Sequence, residues 1–358
     1  MEREIFYSEN KDKVIIVSPI GEMGRTIDYL NNREFKYDNL LVLGNGFDVN
    51  LGLKSTYRDF AQSCLFKRMY IKRQQGKKVK ENPLPSLIDY LYGKKFYERW
   101  YDIEGALLEY VSRKPDGSFV NNIEEDNTDY KYVCETLIEY LASFFKGEGQ
   151  SRLADKMISS AAGKLLRSMW GEDNIIYSFN YTPIRLIASI VIACNLKSDI
   201  VRVHGKIEED SIFQDRLKDN SIILGIETND ISNIAPGYSF MLKSNNPAYK
   251  STNIASDLRH TKNVIFFGHS LNQMDFGYFD SYFKLITSSA SEGRILTLIT
   301  KDDNSRVALL DNLRKAGVSV RDLFAHTKVE IILTDDIDEK DSESYRRFND
   351  LLGRLQEL

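Results

Sequence analysis

An α/β fold with a doubly wound, mostly parallel sheet and a large helical insertion is what this sequence predicts, and three patterns predict it. Short apolar, β-branched runs recur along the chain, several nearly continuous, as in strands buried on both faces of a sheet. Amphipathic helical stretches separate many of the runs that follow residue 173, and alternation of strand and helix belongs to that fold class. Between Ser55 and Trp170 the strand-like runs vanish and helical patterns take over, which reads as an insertion into the sheet.

The elements follow in order. Residues 1–38 form an N-terminal extension whose VIIVS run (14–18) is expected to add an edge to the sheet or a contact between subunits. The α/β core spans 39–54 and 171–335. It opens with LLVL (40–43) and continues with NIIYSFN (174–180), DIVRVHG (199–205), SIILG (221–225), NVIFFGHS (263–270), RILTLIT (294–300) and VEIILT (329–334). TPIRLIASIVIAC, FGYFDSYFKLIT and NSRVALLDNLRKAG are the helices between strands. The helical insertion, 55–170, includes YERWYDIEGALLEYVSRK and YKYVCETLIEYLASFFK, with turns expected at 76–85 and 114–127. Residues 336–358 are assigned to a C-terminal helix.

Composition narrows the function classes. A chain of 358 residues, 42% of them hydrophobic, can bury a large core. Lysine and arginine total 48 against 52 acids, a formal charge of -4, so no net basic field is present to hold a phosphate backbone, which disfavours nucleic acid as partner. The basic run KRQQGKKVK is read as a solvated helix end and loop, with a local nucleic-acid contact as the alternative. Cys64, Cys134 and Cys194 are scattered and form neither a CxxC pair nor an even set, which suggests a reducing compartment and no structural zinc or other metal. MEREIFYSEN lacks the pattern of a signal peptide, and no apolar run reaches the roughly 18 residues of a membrane span. A cytoplasmic protein without a membrane partner is expected.

Ligands of open α/β sheets bind beyond the carboxyl ends of the strands, and four runs place unusual residues there. LLVL leads into Gly44-Asn45-Gly46-Phe47-Asp48, the NIIYSF run into Asn180, DIVRV into His204-Gly205, and NVIFF into Gly268-His269-Ser270 with Asp275 close behind. The glycines would let backbone amides approach a phosphate, with Asp48 turned toward a ribose hydroxyl or a sugar cation; the alternative is a tight turn in which Asp48 is a local cap. Asn180 suits the holding of a water or ribose hydroxyl, or else is a turn residue ahead of Pro183; His204 suits proton transfer, or else is a hydrogen-bonded core histidine. His269 and Ser270 read as a second phosphate or ribose contact, and Asp275 as a helix cap or a ribose contact. In WYDIEGAL, Asp102 and Glu104 stand two apart and diverge by about 200° around a helix, so one carboxylate can face the cleft while the other stays solvated.

LLVLGNGFDVNLGLKSTYRDF, WYDIE, YSFNYT, VHG and IFFGHSLNQMD, in this order, resemble the bacteriophage abortive-infection AbiH family, and that family is similar to the sirtuin-like NAD-binding fold. The resemblance implies an anti-phage effector that hydrolyses the nicotinamide–ribose bond of NAD, with NAD as substrate and no metal. It implies Gly44, Asn45, Gly46 and Phe47 with Gly268, His269, Ser270 and Asp275 as nucleotide contacts. Asn180 and His204 are the implied catalytic residues, and Asp48 or Asp102 the stabiliser of the sugar cation. A homo-oligomer and a phage-derived or host trigger belong to the same implication. Two departures disfavour acyl-lysine deacylation: the paired cysteines of a zinc ribbon are missing, and Thr182 stands where sirtuins carry an aspartate. The rival readings are a sensor that binds NAD or ADP-ribose without cleaving it, a nuclease or RNA-acting effector, and an interaction protein that docks a partner through the insertion.

Overall fold

In the computed structural model, residues 36–75, 85–94, 102–112, 122–146, 150–192, 196–208, 212, 221–227, 234–288 and 293–356 are described, with the backbone of 5–7, 14–16 and 26–27. Trp100, Cys194 and most of the turns expected at 76–85 and 114–127 lie outside the described residues. The first three strands, β1 (Ile5–Tyr7), β2 (Val14–Ile16) and β3 (Thr26–Ile27), make an antiparallel sheet of their own. β2 pairs with β1 on one side and β3 on the other. Its hydrogen-bonding edges are therefore occupied, and the expected extension of the main sheet by this strand is corrected.

The main sheet holds β4 (Tyr37–Leu43), β5 (Asn174–Ser178), β6 (Asp199–Arg202), β9 (Thr261–Phe267), β10 (Ile295–Thr300) and β11 (Lys328–Leu333). Every adjacent pair is parallel, in the order β11-β10-β9-β4-β5-β6. Counting only these strands along the chain, the order is 3-2-1-4-5-6, that of a dinucleotide-binding Rossmann fold, and the order reverses between β4 and β9. The remaining pair, β7 (Gly205–Lys206) and β8 (Ser221–Ile222), is a separate antiparallel ribbon. SIILG is thus not a core-sheet strand. Ile222, Ile223 and Leu224 are buried, and the apolar run records that burial rather than membership of the sheet.

Strand side chains alternate between two cores. Leu41, Leu43, Ile176, Ile265, Phe267 and Ile299 point into one, while Leu40, Val42, Ile175, Tyr177, Val264 and Phe266 point into the other. Burial on both faces is why these runs read as continuously apolar. Between β4 and β5 lie α1 (Asn45–Asn50), α2 (Tyr57–Gln62), α3 (Cys64–Gln75), α4 (Leu87–Lys94), α5 (Ile103–Val111), α6 (Ile123–Ala142), α7 (Gln150–Ser159) and α8 (Ala161–Ser168). α9 (Ile184–Ile192) leads to β6, α10 (Ile254–Arg259) precedes β9, and α11 (Asp280–Ile286) follows it. α12 (Asp303–Lys315) and α13 (Val320–His326) link β10 to β11, and α14 (Glu343–Gln356) closes the chain. Phe348, Leu351 and Leu355 of α14 bury against the first core, whereas Leu309, Leu313 and Leu323 of α12 and α13 bury against the second.

Polar anchors tie the insertion to the segment after β8. Asp126 of α6 accepts from the hydroxyls of Tyr238 at 2.6 Å and Tyr110 at 3.0 Å and from the Leu87 amide at 2.9 Å. The Ala235 amide donates to the Val111 carbonyl at 3.0 Å, and the Tyr130 hydroxyl donates to the Leu224 carbonyl. These bonds fix where α5 and residues 238–246 meet, at the carboxyl edge of the sheet.

Candidate functional site

The loop after β4 packs directly on the loop after β9. A Cβ on Gly44 would stand 2.4 Å from the His269 Cα, and one on Gly46 would stand 2.6 Å from the Gly268 Cα. Gly268 itself has φ +61° and would press a Cβ against the Gly46 backbone. The amides here are already engaged: Gly44 donates to the Phe267 carbonyl at 3.0 Å, Gly46 to Gly268 at 2.9 Å, and Phe47 to Gly44 at 2.9 Å. The glycines therefore permit two loops to cross at the strand-order reversal, and a phosphate cradle built from these three amides is corrected. Phe47 is a core residue, its ring edge-on to Phe267 at 5.5 Å.

Beside that crossing lies a cavity of about 570 Å³. It gathers Gly44, Asn45, Asp48, Asp102, Glu104, Asn180, His204, Gly268, His269, Ser270 and Asp275 from the sequence expectations, and adds Tyr57, Phe179, Tyr181 and Thr182. Gly46 faces a second cavity of about 530 Å³, which shares Asn45, Gly268, His269 and Ser270 with the first and runs toward Thr300 and Thr334 at the ends of β10 and β11. Ser270 is exposed, its carbonyl accepting from Asn312 at 2.9 Å, and Asn45 accepts from the Ser55 hydroxyl at 2.8 Å.

On the β4–β5 side stands Asp48. Asn180 Nδ2 donates to one carboxylate oxygen and Thr182 Oγ1 to the other, each at 2.9 Å, and Asn180 Nδ2 also donates to the Gly44 carbonyl at 3.0 Å. Asp48 is thus a cross-loop acceptor and not a local cap. Its partners are neutral, so burial prevails over them and pushes its carboxyl up to about 7. Asn180 spends its amide protons on the brace, leaving its Oδ1 as the polar atom for a ligand.

On the β6–β9 side stands Asp275. It lies at the head of a 3-10 turn, Phe276–Tyr278, without a side-chain cap bond, so the helix-cap reading is corrected. Its Oδ1 instead sits 3.4 Å from His204 Nε2 and 3.5 Å from the ammonium of Lys243. Burial pushes the Asp275 carboxyl up, but the His204 hydrogen bond and the Lys243 charge outweigh it and hold the group well below the usual carboxylate range. Lys243, 1% exposed, also reaches Glu104 Oε2 at 3.0 Å and His204 Nε2 at 3.3 Å. Burial lowers its pKa, and Glu104 and Asp275 more than restore it, so the ammonium is held above its ordinary range. Glu104 is pushed up by burial and opposed chiefly by Lys243 and His204.

Two imidazoles flank Phe179, whose ring meets His204 edge-on at 5.2 Å and His269 at 4.7 Å. His204 sits in the turn between β6 and β7, where Gly205 adopts φ +81° and a Cβ would press on the Ser221 carbonyl at 2.4 Å. The glycine of VHG therefore serves the ribbon. His269 Nδ1 accepts from the Leu271 amide at 3.1 Å, which leaves its neutral-form proton on Nε2, facing Asp275 at 3.9 Å. Burial lowers its pKa to about 4, so it is neutral at physiological pH. Leu271 itself has φ 50°, a left-handed conformation for a side chain this large.

Of the WYDIE carboxylates, Asp102 caps α5: its Oδ1 accepts from the Gly105 amide at 2.9 Å and the residue is exposed at the cavity rim. Glu104 is buried. The expectation that one faces inward and the other outward holds, and the inward one is Glu104. Tyr181, whose hydroxyl lies 3.4 Å from Glu104 Oε1 and 3.3 Å from the Tyr57 hydroxyl, continues this wall.

The family model for bacteriophage abortive infection AbiH matches residues 40–295. The chain belongs to the AbiH family. The match covers β4 through the start of β10, including the insertion and each of the cavity's named carboxylates and histidines. AbiH membership points to a role in abortive infection, an anti-phage response. No curated protein and no solved structure matches the chain. Among the described residues, no helix is long and apolar enough to cross a membrane.

Proposed function

We propose that this AbiH protein is an abortive-infection effector that hydrolyses the nicotinamide–ribose bond of NAD in the cavity at the carboxyl edge of the sheet. One observation carries the reading: a single cavity at the strand-order reversal holds Asn180, His204 and several buried carboxylates around a space of about 570 Å³. That volume lies within the roughly 300–1,000 Å³ of small-molecule sites. Similarity to the sirtuin-like fold is part of the proposal; the 3-2-1-4-5-6 strand order is that of Rossmann folds in general.

The reaction asks for groups of these kinds. The C1′–N bond breaks with its electron pair passing to the nicotinamide nitrogen, which discharges the pyridinium and leaves an oxocarbenium-like sugar. Negative groups in a water-poor wall stabilise that cation. Water then forms the C1′–O bond, and its proton passes to His204. His204 Nε2 lies between the Lys243 ammonium at 3.3 Å and Asp275 Oδ1 at 3.4 Å, and the Asp275 carboxylate steadies the imidazolium. Asn180, held by Gly44 and Asp48, offers Oδ1 to the water or to a ribose hydroxyl.

Incubation of the purified protein with NAD, with nicotinamide and ADP-ribose followed by chromatography, tests the reading. Product from the wild type and none from His204→Ala supports it. An equal rate from His204→Ala, or no product from wild type that NAD nonetheless stabilises against heat, contradicts cleavage; the latter result identifies a nucleotide-binding module.

A further inference from the structure

We propose that Glu104, carried by the helical insertion, is the carboxylate that faces the developing sugar cation, with Lys243 as the buried counter-ion that holds it in place. The proposal rests on the glycosidic-cleavage reading and names a catalytic residue for it.

Four carboxylates line the cavity, and three are committed elsewhere. Both oxygens of Asp48 accept hydrogen bonds at 2.9 Å, from Asn180 and Thr182. Asp102 caps α5 through the Gly105 amide and lies exposed. Asp275 Oδ1 is shared between His204 at 3.4 Å and Lys243 at 3.5 Å. Glu104 differs. Lys243 anchors its Oε2 at 3.0 Å, while its Oε1 meets only the Tyr181 hydroxyl, at 3.4 Å, and that hydroxyl's one proton is equally placed for the Ile223 carbonyl, also at 3.4 Å. Asp275 Oδ2 is also open, with only His269 Nε2 near it at 3.9 Å. That carboxylate, however, is held to His204, the proton acceptor of the proposed reaction, whereas Glu104 Oε1 belongs to a carboxylate whose one charged anchor lies behind the wall. An anion fixed by one oxygen and open at the other is preorganised to act on positive charge that develops beside it.

The pair also explains the buried lysine. Lys243 is 1% exposed and does not line the cavity, so it acts from behind Glu104. An unpaired ammonium in that position would be strongly unfavourable, and the carboxylate of α5 supplies its charge partner. The insertion thereby contributes a reacting group to a site whose other members come from the strand ends.

The test compares wild type, Glu104→Gln, Lys243→Met and the Glu104→Gln/Lys243→Met double variant for nicotinamide release and for NAD-induced thermal stabilisation. Glu104→Gln is expected to slow release by about 100-fold or more while NAD still stabilises the protein. The double variant, in which Glu104 and Lys243 lose their charges together and Asp275 keeps His204 at 3.4 Å, is expected to fold and to remain as slow. Wild-type turnover by Glu104→Gln overturns the proposal, as does recovery of the rate in the double variant, which would make Glu104 only the structural partner of Lys243. Either result leaves the cleavage reading standing, provided the wild type releases nicotinamide. A wild type that releases none overturns both.

Discussion

Asp48 and Asp275 lie in the walls of one cavity, 1% and 9% exposed, yet their carboxyls are driven in opposite directions. Burial pushes both up. Around Asp48 the partners are an amide and a hydroxyl, and burial wins, lifting it to about 7. Around Asp275 the partners are His204 and the Lys243 ammonium, and they win, holding it below the usual range. Partner charge, more than depth, decides which carboxyl is an anion at neutral pH.

Removing the cation should break the comparison most severely. Lys243→Met leaves Glu104 and Asp275 buried without their ammonium and is expected to cost about 3–5 kcal/mol in urea unfolding at neutral pH. The loss should shrink as the pH falls and the stranded carboxyls take up protons; a loss below about 1 kcal/mol would mean that the pair contributes little. Asp48→Asn sharpens the other side. Its folded pKa is raised from 3.8 to about 7, so the folded state keeps a proton that the unfolded state releases. Its contribution is complete below the unfolded pKa and is lost as pH rises through the folded one, about 4 kcal/mol in all by 1.36 kcal/mol per unit. Unfolding curves at pH 4.5 and 8 should show Asp48→Asn gaining on the wild type at the higher pH.

His269 works against Asp48 over an overlapping range. Its pKa is lowered from 6.5 to about 4, so the unfolded state binds the proton first, and stability is lost as pH falls between those values, by about 3 kcal/mol. His269→Asn keeps an acceptor for the Leu271 amide and removes the titration. Its stability should fall less than that of the wild type between pH 7 and pH 4. The smallest expected effect is at the rim: Asp102→Ala removes the α5 cap and should cost about 1 kcal/mol, read from the shift in thermal unfolding.

Much of this site was legible because strand ends in an open parallel sheet converge. LLVLGNGFD, YSFN, VHG and FFGHS each announce a strand that stops at a polar residue, and Asp48, Asn180, His204 and His269 meet as the fold class requires. Lys243 was not legible. It follows Met241 and Leu242 and opens a short 3-10 turn, where a lysine reads as solvated, and its burial is explained by Glu104 and Asp275, which reach it from distant segments. Tyr57 and Tyr181 escaped notice for the same reason: 124 residues separate hydroxyls that stand 3.3 Å apart. The glycines misled in a different way. Their spacing suggested an anion cradle, whereas Gly44 and Gly46 lack side chains because the Gly268 loop crosses against them, a contact that periodicity does not reveal.

The most direct test of the divided carboxyls is their own titration. Side-chain carboxyl carbon resonances of Asp48 and Asp275, assigned with Asp48→Asn and Asp275→Asn, would be followed by NMR over the pH range in which the protein stays folded. Asp48 should titrate near pH 7, and Asp275 should remain ionised through the range where ordinary carboxylates gain their protons. Two curves that coincide near the ordinary aspartate value would contradict the account.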